Sequence, residues 1–149
     1  MSKKISYQYR YAVSFKKSFK KLQLPLIRFK VEGEYKTFLL DSGSQGNLLD
    51  KKFVDSLPKN LTDNIKDSDV AFIGVEGNNT TDNKTLKLNL SHGSKKFPET
   101  EFTVLDLRPT FKILESKIQE PIAGLLGSPF FEKYRWQLDF EELVVWIKK

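Results

Sequence analysis

Hydrophobic residues recur with a period of two in several short segments of this chain, and this pattern limits its fold more than any other feature. Residues 27–31 alternate apolar and basic side chains, and residues 86–90 alternate leucine with polar side chains. Successive residues of a strand point to opposite faces, so this period is typical of strands with one buried face. The pattern predicts seven or more short strands, at most two short helices, and a mainly β fold that closes into a barrel-like sheet.

Two hairpins are the clearest local predictions. Leu24–Val31 and Tyr35–Leu40 are expected to be strands joined by a turn at residues 32–34, where Gly33 lies between two glutamates. A second hairpin is expected after the short strand at residues 70–73, with a glycine-containing tip at residues 74–79.

Further along the chain, residues 109–121 are expected to be a connection with one helical turn. Ile122–Gly127 is apolar, and Ser128 and Pro129 predict the N-cap and first turn of a helix that ends at Tyr134.

The composition supports one ordered domain and removes several kinds of chemistry. With 39% hydrophobic residues, 12 Phe, 5 Tyr and 2 Trp among 149 residues, the chain can bury a substantial core. It contains no Cys, which excludes disulfides, thiolate metal sites and cysteine nucleophiles. The single histidine, His92, lies in a polar segment and is expected to be a solvated loop residue. We expect no metal and no cofactor, since no metal-ligand cluster or phosphate-binding glycine motif occurs.

Positive charge is concentrated at the start of the chain. The formal charge is +6, but residues 1–31 carry nine basic and no acidic side chains, so the remainder is slightly acidic. We interpret residues 1–23 as a basic extension, extended because aromatic residues alternate in it, and residues 24–149 as the functional domain. The charge distribution therefore does not favour nucleic acid as the main partner.

No segment has the pattern of a secretory leader or a membrane span. Lysines at positions 16, 17, 20 and 21 interrupt every candidate leader, and no apolar run approaches the length of a bilayer. We expect a soluble protein, with the cytoplasm as the default compartment.

Asp41 has the most informative local context. It ends the apolar segment of residues 38–40 and is followed at once by Ser42 and Gly43. The amides of a tight turn can hold such a carboxylate, Gly43 lets the backbone fold beneath it, and Ser42 supplies a hydroxyl that can lock the turn.

Leu39–Ser44 resembles the active-site loop of the aspartic proteases, in the single-domain form of the retropepsins. Asn47 falls where that family often has an asparagine, and the glycine-containing tip at residues 74–77 falls where it places its flap. Residues 125–127, Leu-Leu-Gly followed by a short helix, resemble the segment that crosses beneath the catalytic loop. The resemblance covers residues 24–147.

The resemblance implies a retropepsin fold, peptide or protein substrates, and a role for each matching residue. The residues implied for catalysis are Asp41, Ser42 and Gly43; for substrate binding by the flap, Gly74, Val75, Glu76 and Gly77; and for support of the active site, Ser44, Leu125, Leu126 and Gly127. A hydroxyl near the catalytic pair favours its ionised form, so we expect an acidic optimum that moves upward in Ser44→Ala.

Aspartic proteases use two carboxylates about 3 Å apart that share one proton. This chain has one Asp-Ser-Gly, and Asp139 lacks the following hydroxyl and glycine, so it is expected to be a strand or turn acid. The second carboxylate would then be Asp41 of another copy, which predicts a homodimer with two-fold symmetry.

One departure from the family, the cover of one strand and two alternative functions remain open. Ser128 and Pro129 stand where relatives often carry a charged bracing pair, and the apolar strand Leu143–Ile147 needs cover either from the core or from a dimer partner. The alternative functions are an inactive binding or dimerisation module with the same fold, and a nucleic-acid-binding domain that uses the basic segment.

Overall fold

A computed structural model describes residues 10–67, 72–73, 79–80 and 84–149. The strands are β1 (Arg10–Ser14), β2 (Leu26–Val31), β3 (Glu34–Leu40), β4 (Leu48–Asp50), β5 (Lys66–Asp67), β6 (Phe72–Ile73), β7 (Asn79–Thr80), β8 (Lys84–His92), β9 (Lys95–Leu105), β10 (Ile122–Leu126), β11 (Gln137–Asp139) and β12 (Val144–Lys148). The helices are α1 (Lys16–Leu22), α2 (Lys51–Asp55), α3 (Lys59–Thr62), α4 (Arg108–Ile118) and α5 (Ser128–Tyr134). The mainly β prediction is confirmed.

Six strands form a closed barrel in the order β2-β3-β10-β4-β9-β8, and β8 pairs back onto β2. The closing contacts join Lys30 to Ser91 and Val31 to Leu90. Phenylalanines fill the interior, and Phe29 and Phe38 are fully buried with their rings edge to face. The closed barrel leaves few exposed sheet edges and places the ends of β3 and β10 side by side.

The first predicted hairpin is present. Strands β2 and β3 pair from Leu26 with Leu39 to Val31 with Glu34. Glu32 and Gly33 both have positive φ, 49° and 93°, as a two-residue hairpin turn of the common primed type requires. The hairpin thereby fixes the register of the strand that leads to Asp41.

The beginning and end of the chain form a second, three-stranded sheet in the order β1-β12-β11. The apolar strand β12 lies in its middle, with Val145 and Ile147 fully buried, so in the described residues its cover comes from within the chain. Residues 10–22, assigned from the sequence to the basic extension, supply β1 and α1. Residues 10–14 are extended as expected, whereas residues 16–22 are helical because Phe15 and Phe19, four residues apart, pack on the same side.

The described residues contain five helices rather than two. The longest, α4, occupies a segment expected to be a connection, and its Phe111 packs with Leu107 and Ile118 in a small second core. The helical spacing of these apolar residues indicates this helix, but charged residues and Pro109 obscure it in the sequence. None of the helices in the described ranges is long and apolar enough to span a membrane.

Two smaller predictions are wrong. Gly127, not Ser128, is the N-cap of α5, and Ser128 is the first helical residue. His92 is not a solvated loop residue: it ends β8, is half-buried, and its ring stacks on Tyr11 with the ring centroids 6.0 Å apart. Burial lowers the pKa of His92. The sequence could not reveal this contact because Tyr11 comes from the distant strand β1.

Candidate active site

Asp41 directly follows β3, where the backbone amides of Leu40 and Asp41 form hydrogen bonds to opposite sides. The amide of Leu40 donates to the carbonyl of Pro25 (2.9 Å), and the amide of Asp41 donates to the carbonyl of Leu126 (2.9 Å). The carboxylate is therefore placed by β2 on one side and by β10 on the other.

A tight turn holds the Asp41 carboxylate, which is half-buried. The amide of Gly43 donates to its Oδ1 (3.1 Å), and the amide of Ser44 donates to the Asp41 carbonyl (3.0 Å). Ser42 is exposed, and its hydroxyl has no hydrogen-bond partner among the described residues. Two backbone amides therefore close the turn, instead of the Ser42 hydroxyl that the sequence suggested.

Ser44 connects the turn to the rest of the loop. Its hydroxyl donates to the carbonyl of Gly46 (2.8 Å), and its carbonyl accepts from the amide of Ser128 (2.9 Å). The hydroxyl thus acts within the loop, and the described contacts contain no hydrogen bond from it to Asp41.

Asn47, at the far end of the loop, forms hydrogen bonds with β9 and with Gly127, which follows β10. Its Oδ1 accepts from the amide of Gly127 (2.9 Å), and its Nδ2 donates to the carbonyl of Glu101 (3.2 Å). Its own carbonyl accepts from the amide of Thr103 (2.8 Å). The sequence indicated Asn47 only by its position, and its role as a clamp depends on contacts that no local pattern shows.

Strand β10 crosses directly beneath the loop. Leu125 and Leu126, 3% and 0% exposed, pair in parallel with Leu39 and Leu40. At Gly127 a Cβ would lie 2.9 Å from the carbonyl oxygen of Ser44 and nearer still to that of Gly46. Only glycine allows this approach, so the crossing brings the Leu-Leu-Gly segment and the Asp41 loop together.

A partly buried ion-pair network joins β4, α4 and the start of β10, and no local pattern in the sequence indicates it. Asp50, fully buried at the end of β4, accepts from the amide of Leu107 (3.1 Å) and from Nε of Arg108 (2.6 Å). Arg108 also binds both oxygens of Glu115 at 2.8 Å, and Glu115 accepts from the amide of Ile122 at the start of β10. These bonds raise the pKa of Arg108 and lower that of Glu115.

Asp139 serves a turn, as predicted. Its Oδ1 accepts from the amides of Glu141 (3.0 Å) and Glu142 (2.9 Å), and its Oδ2 accepts from the indole nitrogen of Trp146 (3.1 Å). Asp139 is therefore occupied as a structural acceptor.

The predicted flap residues Gly74, Val75, Glu76 and Gly77 lie outside the described residues. Strands on either side of them pair in an antiparallel manner, with Phe72 opposite Thr80 and Lys66 opposite Thr85. Within the described ranges, no group of three or more acidic or histidine side chains could hold a metal ion.

Comparison with known proteins identifies the family. A sequence profile described as aspartyl protease matches residues 27–130, so the chain belongs to the aspartyl protease family. No curated protein matches the chain significantly in sequence.

Solved structures with the same fold are retropepsin-like. A retropepsin-like aspartic protease from Rickettsia conorii has a TM-score of 0.58 at 17% identity, over 92% of this chain and 89% of that one. The retroviral protease-like domain of Ddi1 from Leishmania major has 0.56 at 10% identity, over 83% and 87%. EIAV protease complexed with the inhibitor HBY-793 has 0.55 at 13% identity, over 78% and 93%. This chain therefore has a retropepsin-like fold.

Proposed function

We propose that this protein is an aspartic endopeptidase that works as a homodimer, with Asp41 of each copy supplying one catalytic carboxylate. The proposal depends on the exposure and the hydrogen bonding of the Asp41 carboxylate. In a chain of the aspartyl protease family, this carboxylate is half-exposed at the mouth of a buried strand and accepts one amide hydrogen bond, and no described cation pairs with it.

The reaction requires two carboxylates that share one proton, because two negative charges so close cannot both persist. The ionised Asp41 accepts a proton from the attacking water while the protonated one donates to the oxygen of the peptide carbonyl. Collapse of the tetrahedral intermediate breaks the C–N bond, and the amine leaves with a proton from the pair. Titration belongs to the pair and not to either aspartate.

This mechanism requires a second copy because the chain has one Asp-Ser-Gly, and Asp139 and Asp50 are each occupied within the chain. Asp139 accepts three hydrogen bonds in its turn, and Asp50 is fully buried against Arg108. Two-fold symmetry brings the same loop from each copy to one axis, as the dyad requires.

The remaining residues have supporting roles in this proposal. Gly43 and Ser42 form the turn that presents the carboxylate, and Ser44, Leu125, Leu126 and Gly127 hold that turn against β10. The flap residues 74–77 would close over an extended peptide and pair with its backbone.

The test compares the native chain with Asp41→Asn on a broad library of peptides at acid pH. We expect cleavage by the native chain and a loss of at least about 10³-fold in Asp41→Asn, because the dyad then lacks one carboxylate. Asp63→Asn, an exposed aspartate, is the matched control and should cleave normally. No cleavage by either chain would favour the inactive binding module.

Dimerisation has its own measurement. Specific activity should rise with protein concentration in parallel with the dimer fraction measured by sedimentation. An active preparation that sediments as a monomer would refute the two-copy mechanism.

A further inference from the structure

One hydroxyl outside the family match contacts the start of β2, the strand that pairs with β3 beside the candidate active site. Ser18, half-buried in α1, accepts from the amide of Leu26 (2.9 Å) and donates to the carbonyl of Leu24 (2.9 Å). The carbonyl of Phe15 lies farther away, at 3.1 Å, and a hydroxyl has one proton to donate. Ser18 therefore binds the backbone on both sides of Pro25.

The hydrogen bond from the Leu26 amide to Ser18 takes the place of a strand-to-strand hydrogen bond at the start of β2. Strand β8 pairs with β2 only at Lys30 and Val31, so in the described residues no strand reaches Leu26 on that edge. Leu26 is 6% exposed, and Pro25 has no amide to donate. Without Ser18 the Leu26 amide would be a buried donor lacking a partner, which proteins rarely tolerate.

Pro25 is in turn bound to the residue before Asp41. Its carbonyl accepts from the amide of Leu40 at 2.9 Å, so this hydrogen bond holds the residue that precedes Asp41. A displacement at Pro25 is therefore passed to Asp41 through one backbone hydrogen bond.

Helix α1, which carries Ser18, is itself packed against the core. Phe15 at the start of α1 is 1% exposed, and its amide donates to the carbonyl of Leu143 (2.9 Å). The Ser18 hydroxyl therefore connects the start of β2 to a helix that is held in place by the core.

We infer that Ser18 is a positioning residue for Asp41, and that α1 is part of the machinery of the active site. This inference rests on the proposed function for its catalytic readout. It gives the segment before residue 24 a role that neither its charge nor the family match assigns.

The kinetic test uses three variants of the full chain. Ser18→Ala should lower kcat about tenfold with KM changed less than about twofold, since a small misplacement of a reacting group lowers the rate more than the binding. Ser18→Thr keeps the hydroxyl and should restore most of kcat. Ser116→Ala removes a hydroxyl that also bonds a carbonyl three residues earlier, on the exposed face of α4, and should match the native chain.

A second readout does not depend on activity. Amide hydrogen exchange at Leu40 should be about tenfold faster in Ser18→Ala and unchanged in Ser116→Ala, with Leu88 in β8 as an internal reference. Unchanged exchange at Leu40 in Ser18→Ala would overturn the inference, as would an unchanged kcat in an active enzyme. If exchange changes but no chain cleaves peptides, Ser18 still positions Asp41 and the proposed function is the part that fails.

Discussion

The tripeptide Leu-Leu-Asp occurs twice, at residues 39–41 and 48–50, on the two strands that flank β10. Asp41 is half-exposed and accepts one amide hydrogen bond at its carboxylate, whereas Asp50 is fully buried and bound by an arginine and an amide. The local sequence up to each aspartate is the same, and the difference arises from the residues after it. A Ser-Gly turn exposes Asp41, while α2 succeeds Asp50 and leaves it beneath α4.

The two carboxylates differ in how many of their acceptor positions the chain occupies, and this difference agrees with the proposed function. Both oxygens of Asp50 are occupied within the chain, so this carboxylate stabilises the crossing of β4 and α4. Asp41 keeps acceptor positions available for a water or a substrate, as a group that exchanges protons requires.

The largest expected effect separates the two aspartates by stability. Asp50→Asn should lower the free energy of unfolding by about 3 kcal/mol, the low end for breaking a buried ion pair, because Arg108 retains Glu115. Asp41→Asn should change it by no more than about 0.5 kcal/mol, since that side chain is only half-buried and has no ion-pair partner among the described residues. Urea denaturation measures both values. Equal losses in the two variants would contradict the contrast between a structural and an available carboxylate.

A methyl group at Gly127 tests whether the loop after Asp41 must lie close against the end of β10. Gly127→Ala should lower stability by about 2 kcal/mol through overpacking against the carbonyls of Ser44 and Gly46. The displaced loop should also lower kcat/KM about 100-fold. Gly93→Ala is the control: its Cβ meets open space, so the positive φ there costs stability without changing cleavage per folded molecule. A Gly127→Ala variant with native activity would show that the loop does not need this contact.

The stability contributed by the Asp50–Arg108–Glu115 network should depend on pH because Glu115 titrates. Its pKa is lowered in the folded protein, first by the hydrogen bond from Arg108 and then by the amide of Ile122, against an ordinary value of 4.5. The stabilisation is therefore fully present above about pH 4.5 and is lost as the pH falls through the lower folded-state value.

Glu115→Gln should cost about 1.5 kcal/mol at pH 7, and the gap in melting temperature between native and variant chains should narrow from pH 5 to pH 3. Exposed Glu132→Gln should follow the native curve throughout. A gap that is constant over this pH range would remove the assigned role of Glu115.

The smallest effect belongs to Ser44. Because its hydroxyl donates to Gly46 and not to Asp41, Ser44→Ala should cost about 1 kcal/mol of stability and leave the pH profile of cleavage unchanged. This expectation replaces the upward shift inferred from the sequence. Ser42→Ala, which removes a hydroxyl without a described partner, should cost less than about 0.5 kcal/mol. A shifted pH optimum in Ser44→Ala would place its hydroxyl at the carboxylate pair after all.

Features with a local cause were predictable from the sequence. The first hairpin follows from alternation and Gly33, and the barrel follows from repeated short alternating segments. Asp41 was identifiable because apolar residues precede it and a turn comes directly after it.

Features that depend on distant partners were not predictable in the same way. The structural role of Asp50 depends on Leu107 and Arg108, and Arg108 lies in a helix that charged residues and a proline obscure in the sequence. Ser18 is one serine in a lysine-rich helix, and its importance depends on which backbone groups lie opposite it. Residues separated widely in the chain decide these roles, and no window of the sequence contains both partners.

Strand β1 and strand β12 join nearly opposite ends of the described chain, with Ser14 opposite Val144 and Arg10 opposite Lys148. Contacts so distant in sequence form late, because closing a long loop must precede them. Among the described strands β1 pairs with β12 alone, so on the ribosome α1 and Ser18 would reach their final positions only after residue 148 has been synthesised. If the proposed function holds, the contact by which Ser18 positions Asp41 would be completed only at this late stage, so synthesis of the chain would precede its full activity.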